Sequence, residues 1–194
     1  MRIIAGQAGG RRLKAPDSKG TRPATDRVRE AVFSSIGDWV VDSLVADLYA
    51  GSGSFGLEAL SRGASSAVFV ESGRKALQAL RQNVDNLGLG GTIIESTVQD
   101  YLGRANHHFH LVFIDPPWDH PATRLGDDLA LLDRLLLPNA EVVTSRRHGD
   151  PFPRHPETWR VATDKRYGDT RIVRYEKVTG DDDGPTNGSV PGEL

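Results

Sequence analysis

The stretch Asp47-Leu48-Tyr49-Ala50-Gly51-Ser52-Gly53-Ser54-Phe55-Gly56 follows an apolar run over residues 44–49 and opens a helical run over 57–62. Strand, glycine-rich turn and helix in that order make up the first half of a βα unit. The glycines let the backbone turn sharply and approach a ligand, and free N–H groups at a helix start favour polar or anionic groups.

Outward from this turn, short apolar runs alternate with helical ones. The spacing predicts strands at 44–49, 67–71, 92–95, 110–114 and 141–145, the pattern of a largely parallel α/β sheet. Between them, 74–87 carries Ala76, Leu77, Leu80, Val84 and Leu87 on one stripe, and 124–137 reads as a second helix ended by Pro138. Two alternating runs, 159–166 and 170–175, joined through Tyr167-Gly168-Asp169, predict a hairpin that closes the sheet. A helix is predicted over 25–36, with Thr25 or Asp26 as its N-cap. Residues 2–5 and 11–14 flank Ala8-Gly9-Gly10 and predict a small N-terminal hairpin with Arg11, Arg12 and Lys14 on its second strand.

Gly51, Gly53 and Gly56 satisfy G-x-G-x-x-G, and Glu71 follows Gly51 by 20 residues, so a dinucleotide fingerprint is formally met. Asp47 points elsewhere. A carboxylate at the strand end suits the ammonium of S-adenosylmethionine, whereas beside a pyrophosphate it repels. Glu71 can accept from ribose hydroxyls in either reading.

Asp115-Pro116-Pro117-Trp118 follows the apolar strand 110–114, at the carboxyl edge where open α/β sheets bind ligands. The prolines stiffen the loop and present carbonyls in fixed directions. Asp115 and the Pro116 carbonyl can each accept one N–H of an exocyclic base amine, turning the nitrogen lone pair toward an incoming methyl group. Trp118 can stack on an extruded base.

The absence of cysteine among 194 residues excludes a disulfide framework and thiolate metal sites. The N-terminus lacks the apolar core of a signal peptide, and no run approaches the roughly 20 apolar residues that span a bilayer. A soluble, cytoplasmic, monomeric protein is expected. The net charge of −2 hides an asymmetry: residues 1–29 carry eight Lys/Arg against two Asp, whereas 180–194 hold four acids and no base. The basic end can meet phosphate; the acidic tail, poor in apolar residues, is expected to be disordered.

Three stretches resemble the bacterial 16S ribosomal RNA guanine-N2 methyltransferases of the RsmD type: Arg2-Ile3-Ile4-Ala5-Gly6-Gln7 with Gly10-Arg11-Arg12-Leu13; Arg22-Pro23-Ala24-Thr25-Asp26-Arg27-Val28-Arg29-Glu30; and Asp47 through Ser61. The resemblance spans about residues 2–175. It implies a Rossmann-like sheet of seven strands, one antiparallel, S-adenosyl-L-methionine as donor, and a guanine of 16S rRNA in the small ribosomal subunit as acceptor. On it, residues 1–20 form a basic RNA-contacting hairpin, 21–179 the methyltransferase domain and 180–194 the tail. Asp47, Tyr49, Gly51, Ser52, Gly53 and Gly56 surround the methionine part, Glu71 and Ser72 the ribose, and Thr25 and Arg27 close over the cofactor. Asp115, Pro116, Pro117 and Trp118 hold the guanine. Where that family often has an acidic residue or Asn followed by a small residue, this chain has Thr97-Val98, with Asp100 out of register; the adenine is assigned to the Thr97–Val98 backbone.

Arg2, Arg11, Arg12, Lys14 and Arg22, with Arg146 and Arg147 after the fifth strand, are the candidate RNA contacts. The six histidines, His120 among them, lack a metal-ligand spacing, so no metal is expected. Asp85, Asn86, Asp127, Asp128 and Asp133 read as helix-face or cap residues. Competing functions are methylation of adenine or cytosine amines in DNA, a nicotinamide oxidoreductase built on the glycine loop, and a non-catalytic RNA-binding assembly factor.

Overall fold

The computed structural model describes residues 1–16 and 25–178. Arg22 and the acidic tail lie outside the described residues.

Seven strands form one sheet in the order β3-β2-β1-β4-β5-β7-β6. Strands β1 (Leu44–Leu48), β2 (Ser66–Glu71), β3 (Thr92–Glu95), β4 (Phe109–Ile114) and β5 (Leu136–Arg147) run parallel, and β7 (Thr170–Lys177) is antiparallel to both β5 and β6 (Trp159–Tyr167). This is the expected seven-stranded arrangement with one antiparallel strand. Alternate residues along each strand enter two cores. Val45, Phe69, Leu111 and Phe113 pack with α1 (Asp26–Ile36), α2 (Ser54–Ser61) and α3 (Arg74–Leu87) on one face. Ala46, Leu48, Val70, Val112 and Ile114 pack with α4 (Val98–Arg104) and α5 (Ala122–Leu132) on the other.

The N-terminal segment forms the expected hairpin, reduced to a single antiparallel bridge between Arg2 and Arg12. It is built into the first core: Ile3, Ala8 and Leu13 are buried there. Its anchor is Glu58 of α2, fully buried, which accepts from the N–H groups of Ile4 (2.7 Å) and Ala5 (3.1 Å) and from Arg62 Nε (2.6 Å). Ser61 donates to the Ala5 carbonyl (2.6 Å) and accepts from the Ala8 N–H (3.0 Å).

Two element boundaries depart most from the sequence expectation. The second helix ends at Leu132, passes through a 3₁₀ turn over Asp133–Leu135, and continues as β5 from Leu136. Pro138 therefore lies inside a strand. It sits where the β4–β5 register shifts between Phe109 and Leu111, a break in the ladder at which a residue without an N–H costs no hydrogen bond. The helix after the glycine turn begins at Ser54, three residues early, because Gly53 adopts the left-handed conformation (φ 81°) and its carbonyl already accepts from Leu57 N–H at 2.9 Å.

Candidate active site

Strand parity sets the site. Val45, Phe69, Leu111 and Phe113 face the first core, so Asp47, Glu71 and Asp115, each two residues further along β1, β2 or past β4, come to the carboxyl edge on that same side. Three acids converge there, and among the described residues none is in an ion pair. Asp47 is buried, accepts the Gly56 N–H at 2.8 Å, and is held well above the ordinary carboxylate range, first by desolvation and further by repulsion from Asp115 and Glu71. Glu71 accepts the Gly51 N–H at 2.8 Å through one oxygen and the Ser72 and Gly73 N–H groups, at 2.9 and 2.6 Å, through the other.

The β4–β5 register pairs Ile114 with Thr144, so the next residues, Asp115 and Ser145, stand side by side. Ser145 Oγ donates to Asp115 Oδ1. Burial raises the Asp115 pKa, and the Ser145 hydrogen bond opposes that rise. Beneath the loop, Phe113 stacks on Phe55 of α2 (5.0 Å, 18°) and meets Phe33 of α1 (5.3 Å). Such pairs add about 0.5–1.5 kcal/mol each beyond area burial and fix the strand that carries Asp115.

The glycines answer to packing as much as to a ligand. A Cβ on Gly56 would lie 2.4 Å from the Phe69 ring, and one on Gly53 2.5 Å from Leu80 Cδ1. Gly51 has open space and is held by its left-handed φ of 58°. Ser52 is buried, and its carbonyl accepts from Asn83 Nδ2 at 2.9 Å. Asn83 also exchanges two hydrogen bonds with the Lys14 backbone, which ties the hairpin to the glycine turn.

Two cavities meet the loop that follows β4, the first through His120 and the second through Trp118. The first, about 360 Å³, is lined by Tyr49, Glu71, Ser72, Thr97, Val98, Asp100, His120 and Asp128, among others. Thr97 caps α4 by accepting the Asp100 N–H at 3.1 Å, and its hydroxyl donates to Asp100 Oδ2 at 2.7 Å. The second, about 400 Å³, is lined by Thr25, Arg27, Val28, Trp118 and residues 166–170. Trp118 is 39% exposed, with the Arg147 guanidinium 5.7 Å from its ring centre.

A family model described as Conserved hypothetical protein 95 matches residues 1–176. The ribosomal RNA small subunit methyltransferase D of Escherichia coli (strain K12) is 34% identical over 178 residues, covering 91% of this chain and 90% of that one. The chain belongs to this family. A solved structure titled "Putative methyltransferase yhhF from Escherichia coli" superposes with a TM-score of 0.82 at 33% identity, over 92% of this chain and 98% of that one. A second, "A putative sam-dependent methyltransferase from Streptococcus mutans", shares the fold at 12% identity (TM-score 0.68; 82% and 50% coverage). The family fold is the Rossmann-like fold of S-adenosylmethionine-dependent methyltransferases.

Several of the residues read from the sequence have surroundings or partners that the sequence did not announce. Thr25 and Arg27 line the cavity beside Trp118, away from that of Glu71 and Thr97, because α1 packs on the first face near the β6–β7 turn. Arg146, 8% exposed, donates to the His120 carbonyl (2.7 Å) and pairs with Asp150 (3.2 Å); it braces the loop from inside instead of facing a phosphate. Arg11 donates to the carbonyls of Asn86 and Leu87 and so caps the C-terminus of α3. Arg2 is exposed and lies 3.7 Å from Asp26, whereas Arg12 and Lys14 are exposed on the hairpin.

Asp128 and Asp133 are more than helix-face residues. Tyr49, strained at φ 59°, donates its hydroxyl to Asp128 at 2.6 Å, and His120 Nε2 lies 3.2 Å from that hydroxyl. Burial lowers the His120 pKa, keeping the ring neutral near pH 7, and raises that of Asp128. Asp133 accepts from Trp159 Nε1 (2.8 Å) and pairs with Lys177 (3.2 Å), which locks β6 and β7 to the end of α5. Tyr49 and its partners stand 71 and 79 residues apart, so no local pattern announces them.

Proposed function

We propose that this chain transfers a methyl group from S-adenosylmethionine to the exocyclic N2 amine of a guanine in 16S rRNA of the small ribosomal subunit. The observation that carries the reading is the cluster of Asp47, Glu71 and Asp115 at the strand ends, in which Asp115 and Glu71 both repel the buried Asp47 and none of the three has a basic ion-pair partner among the described residues. A cationic donor relieves that repulsion; a dinucleotide pyrophosphate worsens it. When bound, S-adenosylmethionine supplies an electrophilic methyl on a sulfonium.

In this reading Asp47 and the turn from Gly51 to Gly56 hold the methionine end, Glu71 and Ser72 the ribose, and the wall of Thr97 and Val98 the adenine. Asp115 accepts an N–H of the guanine amine. Its raised pKa makes it a better late acceptor of the departing proton than an ordinary carboxylate. Pro116 and Pro117 keep the loop in one shape, Trp118 stacks on the base, and positioning supplies most of the rate. The choice of small-subunit ribosomal RNA rests on the name the Escherichia coli relative carries, and the choice of the guanine N2 amine on the resemblance of residues 2–13, 22–30 and 47–61 to the guanine-N2 methyltransferases.

The test is transfer of a labelled methyl to small subunits from a strain lacking the modification, with duplex DNA as competitor. Incorporation into RNA that DNA does not suppress, and that Asp115→Ala abolishes, is expected. Saturable NAD binding without S-adenosylmethionine binding overturns the reading, as does strong inhibition by DNA.

A further inference from the structure

In the reading above the donor lies against Glu71, Ser72, Thr97 and Val98, which line the first cavity and not the second. Its walls are the first turn of α1 (Thr25, Arg27, Val28), Trp118, and the tip of the β6–β7 hairpin from Arg166 to Thr170. Trp118 is therefore the wall that a stacked base and this cavity share. The sugar-phosphate chain of any base lying on that indole must leave through the space beside it. At about 400 Å³ the cavity falls within the roughly 300–1,000 Å³ of small-ligand sites.

The charge around the cavity fits an anionic chain. Arg27 and Arg166 line it and Arg147 lies over the Trp118 ring; among the described residues none of the three is in an ion pair, and Asp169 is the single acid in the lining. Other arginines of β6 and β7 differ. Arg160 pairs with Glu176 (2.9 Å), Arg171 with Asp164 (2.6 Å) and Arg174 with Glu141 (3.3 Å). The hairpin thus neutralises its arginines along the strands and leaves the one at the tip to the cavity.

Arg166 is also pre-set. Its Nε donates to the Gly168 carbonyl at 2.8 Å, which fixes the guanidinium at one nitrogen, and the residue lines the cavity. The tip itself is a two-residue turn, Gly168-Asp169, between the pair Tyr167 and Thr170, with Gly168 in the left-handed region (φ 61°). His148 N–H donates to the Asp169 carbonyl at 2.7 Å and ties the tip to the end of β5, next to Arg147. A planar fork held on a rigid turn loses little entropy on meeting a phosphate.

We infer that this cavity seats the phosphodiester flank of the nucleotide stacked on Trp118, with Arg166 as its phosphate ligand. The inference rests on the RNA reading above. It assigns the β6–β7 tip, and not only the N-terminal hairpin, to the RNA.

The experiment compares wild type with Arg166→Ala, Arg166→Glu and, as a control on the same hairpin, Arg160→Ala. Binding of a small-subunit RNA fragment is measured over a range of KCl concentrations, S-adenosylhomocysteine binding by calorimetry, and methyl transfer to small subunits by kcat and KM. Loss of one phosphate contact lowers the slope of log K against log salt by about 0.7–1. Arg166→Ala is expected to show that loss, a roughly 3- to 10-fold rise in RNA Kd and KM, and unchanged kcat and S-adenosylhomocysteine affinity; Arg166→Glu goes further and Arg160→Ala stays at wild type. Methylation by wild type with Arg166 variants matching it in slope, Kd and KM overturns this inference alone. An equal loss in Arg160→Ala also overturns it, by showing only a general charge effect. Absence of methylation by wild type removes the RNA reading and this inference with it.

Discussion

Trp118 and His120 stand two residues apart in one loop yet line different cavities: Trp118 faces the α1 and hairpin side, and His120 faces the side of Glu71 and Thr97. The loop between them is braced by the His120 N–H donating to the Pro117 carbonyl at 2.9 Å and by Arg146 holding the His120 carbonyl. The two cavities thus share residues 118–120 as a wall. In the proposed function, a change at either end of this wall separates binding of donor and acceptor.

Trp118→Ala removes the stacking face without touching the first cavity. Stacking on an aromatic contributes about 1–3 kcal/mol per base, so RNA KM should rise about 5- to 100-fold, with S-adenosylhomocysteine affinity within twofold of wild type. Parallel titrations of both ligands check this.

Asp47→Asn should weaken S-adenosylhomocysteine binding about 10- to 100-fold, the value of a charge-assisted hydrogen bond, and yet raise the melting temperature of the free protein. The sign follows from the raised Asp47 pKa. A carboxyl group held above its unfolded value contributes stability fully below that unfolded value, near 4, and loses it as pH rises through the folded one. The melting advantage of Asp47→Asn should vanish in acid and grow as pH rises. A lower melting temperature at neutral pH would contradict this account.

Ser145→Ala removes the hydrogen bond that opposes the rise of the Asp115 pKa. The acid limb of the kcat profile should move to higher pH, lowering the rate most on the acid side, while the plateau changes less. A uniform loss at every pH would assign Ser145 a packing role instead.

Gly6→Ala should detach the N-terminal hairpin. Gly6 has φ 81°, and a Cβ there would lie 1.8 Å from the Ser61 carbonyl oxygen, the acceptor for Gln7 N–H. The backbone strain alone costs about 1–3 kcal/mol, read by denaturant melts, and RNA binding should weaken more than cofactor binding.

Much of this layout was legible in the residues because periodicity and strand-end chemistry are local. The stripe of Leu77, Leu80 and Leu87 marked α3 at its observed bounds, and Asp47, Glu71 and Asp115 sit at strand ends where parity alone brings them together. The boundary after Leu132 was not legible. Leu135 and Leu136 suit either a helix or a buried strand, and the β4 pairing decides for the strand. The links of Tyr49 to Asp128, Glu58 to the hairpin and Arg11 to the end of α3 span 79, about 54 and about 76 residues, and only the folded chain brings them into reach. The burial of Arg146 was not legible either: its sequence neighbourhood resembles an exposed basic loop, whereas one partner, Asp150, is four residues away and the other, the His120 carbonyl, is 26 residues away.

The central claim is that Asp115 and its loop methylate a guanine amine of small-subunit RNA. Mass mapping of small-subunit RNA from cells with the gene intact, deleted, and restored as wild type or Asp115→Ala tests it most directly. The account predicts one N2-methylated guanine that disappears on deletion, returns with wild type and stays absent with Asp115→Ala. An unchanged set of methylated guanines on deletion would contradict it.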